Sequence, residues 1–234
     1  MTTDTSDPSR CVILVPVGGR IEPACDDALR QLEGRGYPVR RVYGYSAIDQ
    51  GRCAMATRAL DDGFAELMWI DADVGFDPED VERLRAHQLP LVCGIYPKKG
   101  PRSFAFNFKE ETRQVRFGRE GGLLEISRAG FGFTHTRREV YDAIVRACEL
   151  PACNELFGER MLPFFLPMLV ADRVGHSYLA EDFAFCERAS RAGVKIMADT
   201  RVRLWHIGSY SYGWEDAGRD VERFWDYTFH VEHA

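Results

Sequence analysis

The hydrophobic pattern of the first hundred residues changes period several times. Cys11–Val17 is an unbroken apolar run, rich in β-branched residues and stopped by Gly18-Gly19. Such a run suits a strand buried on both faces. Cys25, Ala28, Leu29 and Leu32 then recur at i, i+3, i+4 and i+7, which predicts an amphipathic helix ending near Gly34 or Gly36. Val39–Tyr45 predicts a second strand, residues 50–62 a second helix, and Leu67–Ile70 a short third strand. Residues 78–87 read as a helix and Leu91–Ile95 as a fourth strand. Strand and helix thus alternate about four times, which predicts an α/β layer fold with a mostly parallel sheet.

The second half is less regular. Phe104, Phe106 and Phe108 alternate within Ser103–Phe108, and Gln114–Phe117 is placed to pair with them as a hairpin. Leu123–Thr134 reads as a strand interrupted by Gly130 and Gly132, and Tyr141, Ile144, Val145 and Cys148 mark a helix. Residues 150–180 keep no period, contain three prolines, and are expected to form a loop over a site. Phe183–Ala192 predicts a helix, 194–198 and about 202–207 short strands, and Val221, Phe224, Trp225 and Thr228 one face of a last helix.

Chain length refines this picture. At 234 residues one larger domain is favoured over two. The expectation is a disordered tail over 1–10 and a single domain over 11–234. The net charge of −6 argues against general nucleic-acid binding. Seven cysteines without a C-x-x-C spacing read as reduced core residues of a cytoplasmic protein. The polar N-terminus does not read as a signal peptide, and the longest apolar run, Met161–Val170, is too short to span a bilayer.

Three stretches carry candidate chemistry. In the first, the third strand delivers Asp71 and Asp73 to its carboxyl end, where ligands bind in open α/β sheets. Residues two apart on an extended segment point the same way, so both carboxylates can face one hard divalent cation. Capping of the next helix is already assigned to Asp77, with Pro78, Glu79 and Asp80 behind it, so the pair lacks a structural task. In the second stretch, Glu181-Asp182 opens a helix, either as acids matched to its dipole or as a carboxylate that accepts a proton. The third is Trp205-His206-Ile207-Gly208, where the imidazole is either a core residue or a ligand.

Taken together, Asp71-Ala-Asp73, Glu181-Asp182 about 110 residues on, and His206 about 25 further resemble the GT-A fold nucleotide-sugar glycosyltransferases, in particular the broad family-2-like group. The resemblance runs from Val12 to about Tyr212. Arg128–Glu139 is similar to that group's Gly-x-Gly-Phe strand and following helix start, and Cys93–Lys98 and Gly51-Arg52 sit where related segments occur. Cys53 departs from the pattern, standing where many relatives have Asn. The resemblance implies a single, Rossmann-related three-layer α/β domain with a mixed, mostly parallel sheet, split into a nucleotide-binding half (11–100) and an acceptor-binding half (101–234). It also implies a metal-dependent, hexosyltransferase-like enzyme using Mn²⁺ or Mg²⁺ and a UDP-sugar.

Residue by residue, it implies that Pro16, Val17 and Gly18 hold the nucleotide, with Arg52 near it or solvated on its helix. Asp73 is the direct metal ligand, Asp71 touches ribose or the metal through water, and Ala72 lies between them. His206 adds a ligand. Asp182, the second acid of the pair, is the general base of an inverting transfer, and Glu181 cannot point the same way. Lys98 and Lys99 touch the diphosphate or acceptor, or lie in a solvated loop. Phe164, Phe165 and Leu166 form an acceptor platform or core, and Tyr210 and Tyr212 cover the donor. The metal half alone does not separate inverting from retaining transfer. A nucleotidyltransferase of related fold and a non-catalytic nucleotide-sugar-binding domain are the alternatives. The acceptor is an unidentified saccharide, peptide or small molecule.

Overall fold

The computed structural model describes residues 7–100, 102–218 and 225–231. Along the chain the elements are β1 (Cys11–Val17), α1 (Pro23–Gly34), β2 (Val39–Tyr43), α2 (Ile48–Asp61), β3 (Glu66–Ile70), β4 (Val74–Gly75), α3 (Pro78–Ala86) and β5 (Leu91–Cys93). There follow β6 (Asn107–Phe108), β7 (Gln114–Phe117), β8 (Leu123–Arg128), β9 (Phe133–Arg137), α4 (Arg138–Cys148), β10 (Met168–Ala171), β11 (His176–Leu179) and α5 (Glu181–Arg191). The last are β12 (Ile196–Asp199), β13 (Trp205–Ile207), β14 (Ser211–Tyr212) and β15 (Tyr227–His230).

An eight-stranded mixed sheet in the order β2-β1-β3-β9-β5-β12-β8-β6 forms the centre of an α/β domain. Six strands run the same way, while β8 and β9 run against them, so four of the seven neighbour pairings are antiparallel. Both faces are covered. The strand order reverses at β1, and the general right-handed rule for such crossovers puts α1 and α2 on opposite faces. α1 packs with α3 and α4 with α5. Arg138, at the start of α4, donates to the carbonyls of Leu60, in the last turn of α2, and of Phe64 just after it.

The apolar runs behave as their period requires. Every residue of β1 and β3 is buried. In α1 the buried residues are Cys25, Ala28, Leu29 and Leu32, the stripe read from the sequence. Asp77 caps α3 by accepting from the Glu79 amide, with Pro78 at the first helical position.

Several expectations are corrected. Ser103–Phe108 and Gln114–Phe117 do not form a hairpin. β6 pairs with β8 at the sheet edge, and β7 pairs with β15 in a separate ribbon. Thr228 lies in that β15 strand, not on a helix, while Val221 and Phe224 fall outside the described residues. Leu123–Thr134 divides into β8 and β9, and β9 inserts between β3 and β5. Segment 150–180 contains the hairpin β10–β11. Of the expected tail, 1–6 lie outside the described residues, and Pro8–Arg10 form a 3-10 turn capped by Asp7.

All seven cysteines are free, and five of them are buried. No helix among the described residues is long and apolar enough to cross a membrane.

Candidate functional site

The site gathers at the carboxyl ends of β1 and β3. Past Ile70 the chain turns: the Asp71 amide donates to the Gly132 carbonyl (3.0 Å) and the Val74 amide to the Asp71 carbonyl (3.1 Å). Ala72 is buried, and its carbonyl accepts from the Glu22 amide at 2.8 Å, which pins the turn against the loop after Pro16, Val17 and Gly18.

His206 arrives by strand pairing. β13 runs antiparallel to β4, with His206 opposite Val74, and the Ile207 amide donates to the Asp73 carbonyl at 2.7 Å. Its Nδ1 lies 2.9 Å from the Pro97 carbonyl. A carbonyl only accepts, so Nδ1 carries the proton and Nε2 keeps its lone pair. Nε2 faces Asp73 Oδ1 at 3.7 Å, too long for a hydrogen bond. Burial pushes the His206 pKa down, against the opposing effects of the Pro97 bond and Asp73, so the ring is neutral near pH 7.

Beside this pair lies a buried ionic bridge. Arg52, on α2, is 3% exposed. Its Nη2 donates to Asp71 Oδ1 at 2.7 Å, and its Nε lies 3.6 Å from Glu181 Oε1 at the start of α5. The guanidinium sits over the rings of Trp69 and Phe131, at 5.5 and 6.0 Å. Burial alone would lower its pKa, but Asp71 and Glu181 outweigh it and keep the charge in place. The solvated alternative for Arg52 is therefore excluded.

Asp182 follows Glu181 on the same turn. Its Oδ1 accepts from the Phe183 amide at 2.7 Å. Burial, reinforced by Glu181, pushes its pKa up to about 6. Both acids act electrostatically on Arg52, Glu181 through its contact with Nε. Phe164 and Phe165 belong to the aromatic core with Trp69, Phe131, Tyr141 and Phe185 and cannot be a platform; Leu166 is half exposed. Cys53 is buried, with Sγ 3.2 Å from the Phe165 amide, so it faces this core. Tyr210 and Tyr212 pack edge to face, and the Tyr210 hydroxyl donates to Asp216.

Two further residues complete the site, and only the first was not singled out in the sequence. Tyr96 is buried, its hydroxyl accepts from the Gly132 amide at 2.9 Å, and its ring packs edge-on to His206. This explains Gly130 and Gly132: a Cβ there would lie 2.6 and 2.5 Å from the Tyr96 hydroxyl. At Gly132 it would also lie 3.0 Å from Asp71 Oδ2. The second is Lys99, whose Nζ donates to Asp73 Oδ2 at 2.5 Å.

The donor set fits a divalent cation that accepts mixed oxygen and nitrogen ligands, such as Mn²⁺. Asp73 offers a partly exposed carboxylate, and His206 is neutral and oriented by a carbonyl on its other nitrogen, as metal-binding imidazoles usually are. A second cluster, Cys11, Glu66 and His135, brings its ligand atoms within 4.8 Å of one another. It lies at the opposite, amino ends of β1 and β3 and is an ionic network. Arg85 holds both Glu66 oxygens, and burial pushes the Cys11 thiol pKa up. The cavity of about 970 Å³ bordered by Phe76, Asp77, Trp205 and Tyr210 includes none of the acids 71, 73 or 182.

No family model and no curated protein matches the sequence. Among solved structures, A197 from STIV superposes with a TM-score of 0.57 at 20% identity, covering 92% of this chain and 97% of that one. This likeness shows a shared fold. UDP-glucose pyrophosphorylase complexed with UDP-glucose gives 0.40 at 11% identity over 86% of this chain and 78% of that one. A glycosyltransferase involved in the glycosylation of the major capsid of PBCV-1 gives 0.32 at 9% identity, over 56% and 62%.

Proposed function

We propose that this chain is a metal-dependent glycosyltransferase that moves a sugar from a nucleoside-diphosphate sugar, a UDP-sugar, to an acceptor hydroxyl with inversion. One observation supports the reading: acids and an imidazole from three distant stretches gather at one strand end, Asp71 and Glu181 joined through Arg52, and His206 Nε2 3.7 Å from Asp73 Oδ1.

Asp73 and His206, with Asp71 through water, would hold the cation. When bound, a divalent ion offsets the negative charge that develops on a departing diphosphate. Pro16, Val17 and Gly18 border the nucleotide. Arg52 holds Asp71 and Glu181 in place. Asp182 accepts the acceptor's hydroxyl proton as that oxygen bonds to the anomeric carbon. The bond from that carbon to the diphosphate oxygen breaks, and its electron pair leaves with the diphosphate. A carboxylate with a pKa raised toward the working pH is suited to this proton transfer.

The test is incubation with UDP-sugars, GDP-sugars and nucleoside triphosphates in Mn²⁺, with acceptor mixtures present. Free UDP, dependent on metal, supports the reading. Pyrophosphate without nucleoside diphosphate would identify a nucleotidyltransferase. Metal-dependent nucleotide binding without turnover would identify a binding domain.

A further inference from the structure

The segment after β5 reaches back over the site in a tight excursion. The Lys98 amide donates to the Ser103 carbonyl at 2.8 Å, and Pro97 bridges Phe104 across the excursion. Gly100, at φ +89, takes a left-handed conformation that favours glycine. Three residues of this segment engage the site. Tyr96 packs on the His206 ring, the Pro97 carbonyl fixes the His206 tautomer, and Lys99 places its ammonium on Asp73. The Lys99 stem passes beside Gly208, where an added Cβ would meet its Cδ at 3.4 Å.

Asp73 is thus engaged on one oxygen by a cation of the protein's own, while its other oxygen faces the imidazole. An ammonium there and a divalent ion on the same carboxylate repel each other, and the pair is about one-third exposed on each side. Such a pair is weak enough to break, and the lysine stem is flexible. We propose that Lys99 is an exchangeable cation of this site: it neutralises Asp73 while no divalent ion is present, yields the carboxylate when one binds, and then pairs with the diphosphate of the donor. This assignment rests on the metal and nucleotide reading above and adds to it a residue that couples the two binding events.

The test uses the full chain and measures binding. Mn²⁺ is titrated without nucleotide, with free Mn²⁺ read by electron paramagnetic resonance, into the wild type, Lys99→Met and Asp73→Asn. UDP binding is then measured by calorimetry in saturating Mn²⁺. Removing the ammonium is expected to tighten Mn²⁺ binding about fivefold and to weaken UDP binding about fivefold or more. Tighter metal binding on deletion of a side chain is not what a merely structural role produces, since a loosened site binds metal less well. Mn²⁺ affinity in Lys99→Met equal to or weaker than wild type overturns the exchange, and unchanged UDP affinity overturns the pairing with the diphosphate. If neither the wild type nor Lys99→Met binds Mn²⁺, with or without UDP, the metal reading itself fails and the exchange fails with it. If wild-type binding survives Asp73→Asn, the ion sits elsewhere and the exchange on Asp73 is overturned.

Discussion

Arg52 Nη2 lies 2.7 Å from Asp71 Oδ1, and the arginine is buried among aromatic rings while the aspartate keeps one side to the cleft. The pair joins the core to the site, because the same guanidinium also reaches Glu181. Removing the arginine leaves two acids beside an apolar hollow. Arg52→Ala is expected to lose about 2–3 kcal/mol of stability. That corresponds to a fall in melting temperature of roughly 4–12 °C for a domain of this size. Calorimetric melting checks it; an unchanged melting temperature would show that the bridge contributes nothing net.

Burial, reinforced by the neighbouring Glu181, pushes the Asp182 pKa up to about 6. A base must be deprotonated, so kcat/KM should fall as pH drops through about 6 and level off above it. Asp182→Asn should lower transfer about 10²–10⁴-fold while sparing UDP binding in Mn²⁺. The stability sign is the reverse of the activity sign. A carboxyl raised above its unfolded value stabilises the fold below that value and loses the contribution as pH rises through about 6. The Asn variant should therefore be no less stable than wild type at pH 7. Full transfer activity in this variant would reassign the base.

Gly132 leaves the space that the Tyr96 hydroxyl and Asp71 Oδ2 occupy. A methyl there overlaps one or shifts the other. Gly132→Ala is expected to cost about 1–3 kcal/mol and to weaken Mn²⁺-dependent UDP binding, since both neighbours are parts of the site. Denaturant melts and UDP titration check it together; a variant that keeps wild-type values in both would show that the crowding relaxes freely.

At the far end of the sheet, burial would raise the Glu66 pKa, but His135 and Arg85 outweigh it and hold the carboxyl at about 2. A depressed carboxyl stabilises the fold above its unfolded value, about 4.3, and loses that contribution as pH falls toward 2. Glu66→Gln should be destabilised by about 3 kcal/mol at pH 6 and by progressively less from pH 5 downward. Urea melts across that range test it. Mn²⁺ stoichiometry measured at pH 7 should not change in this variant; loss of a bound ion would mean that Cys11, Glu66 and His135 form a metal site after all.

Much of the first half was legible in the sequence. The runs at 11–17 and 67–70 and the stripe at 25–32 announce their burial through local periodicity, which needs no distant partner. The capping role of Asp77 was legible for the same reason. The edge pairing of β6 and the ribbon of β7 with β15 were not legible, because alternation marks a strand without naming its neighbour. Phe164 and Phe165 show the same limit: an aromatic run looks alike as a surface platform or as core.

By itself, then, the sequence determined the alternating α/β order, the delivery of Asp71 and Asp73 to a strand end, and the residue types capable of the chemistry. Only the tertiary structure decided that Arg52 is a buried counter-ion, that Tyr96 fills the space of two missing side chains, and that Lys99 sits on Asp73. The reason is range. Backbone preference and hydrophobic period act over a few residues, whereas charge pairing and exclusion of volume act between atoms that meet only once the sheet has closed.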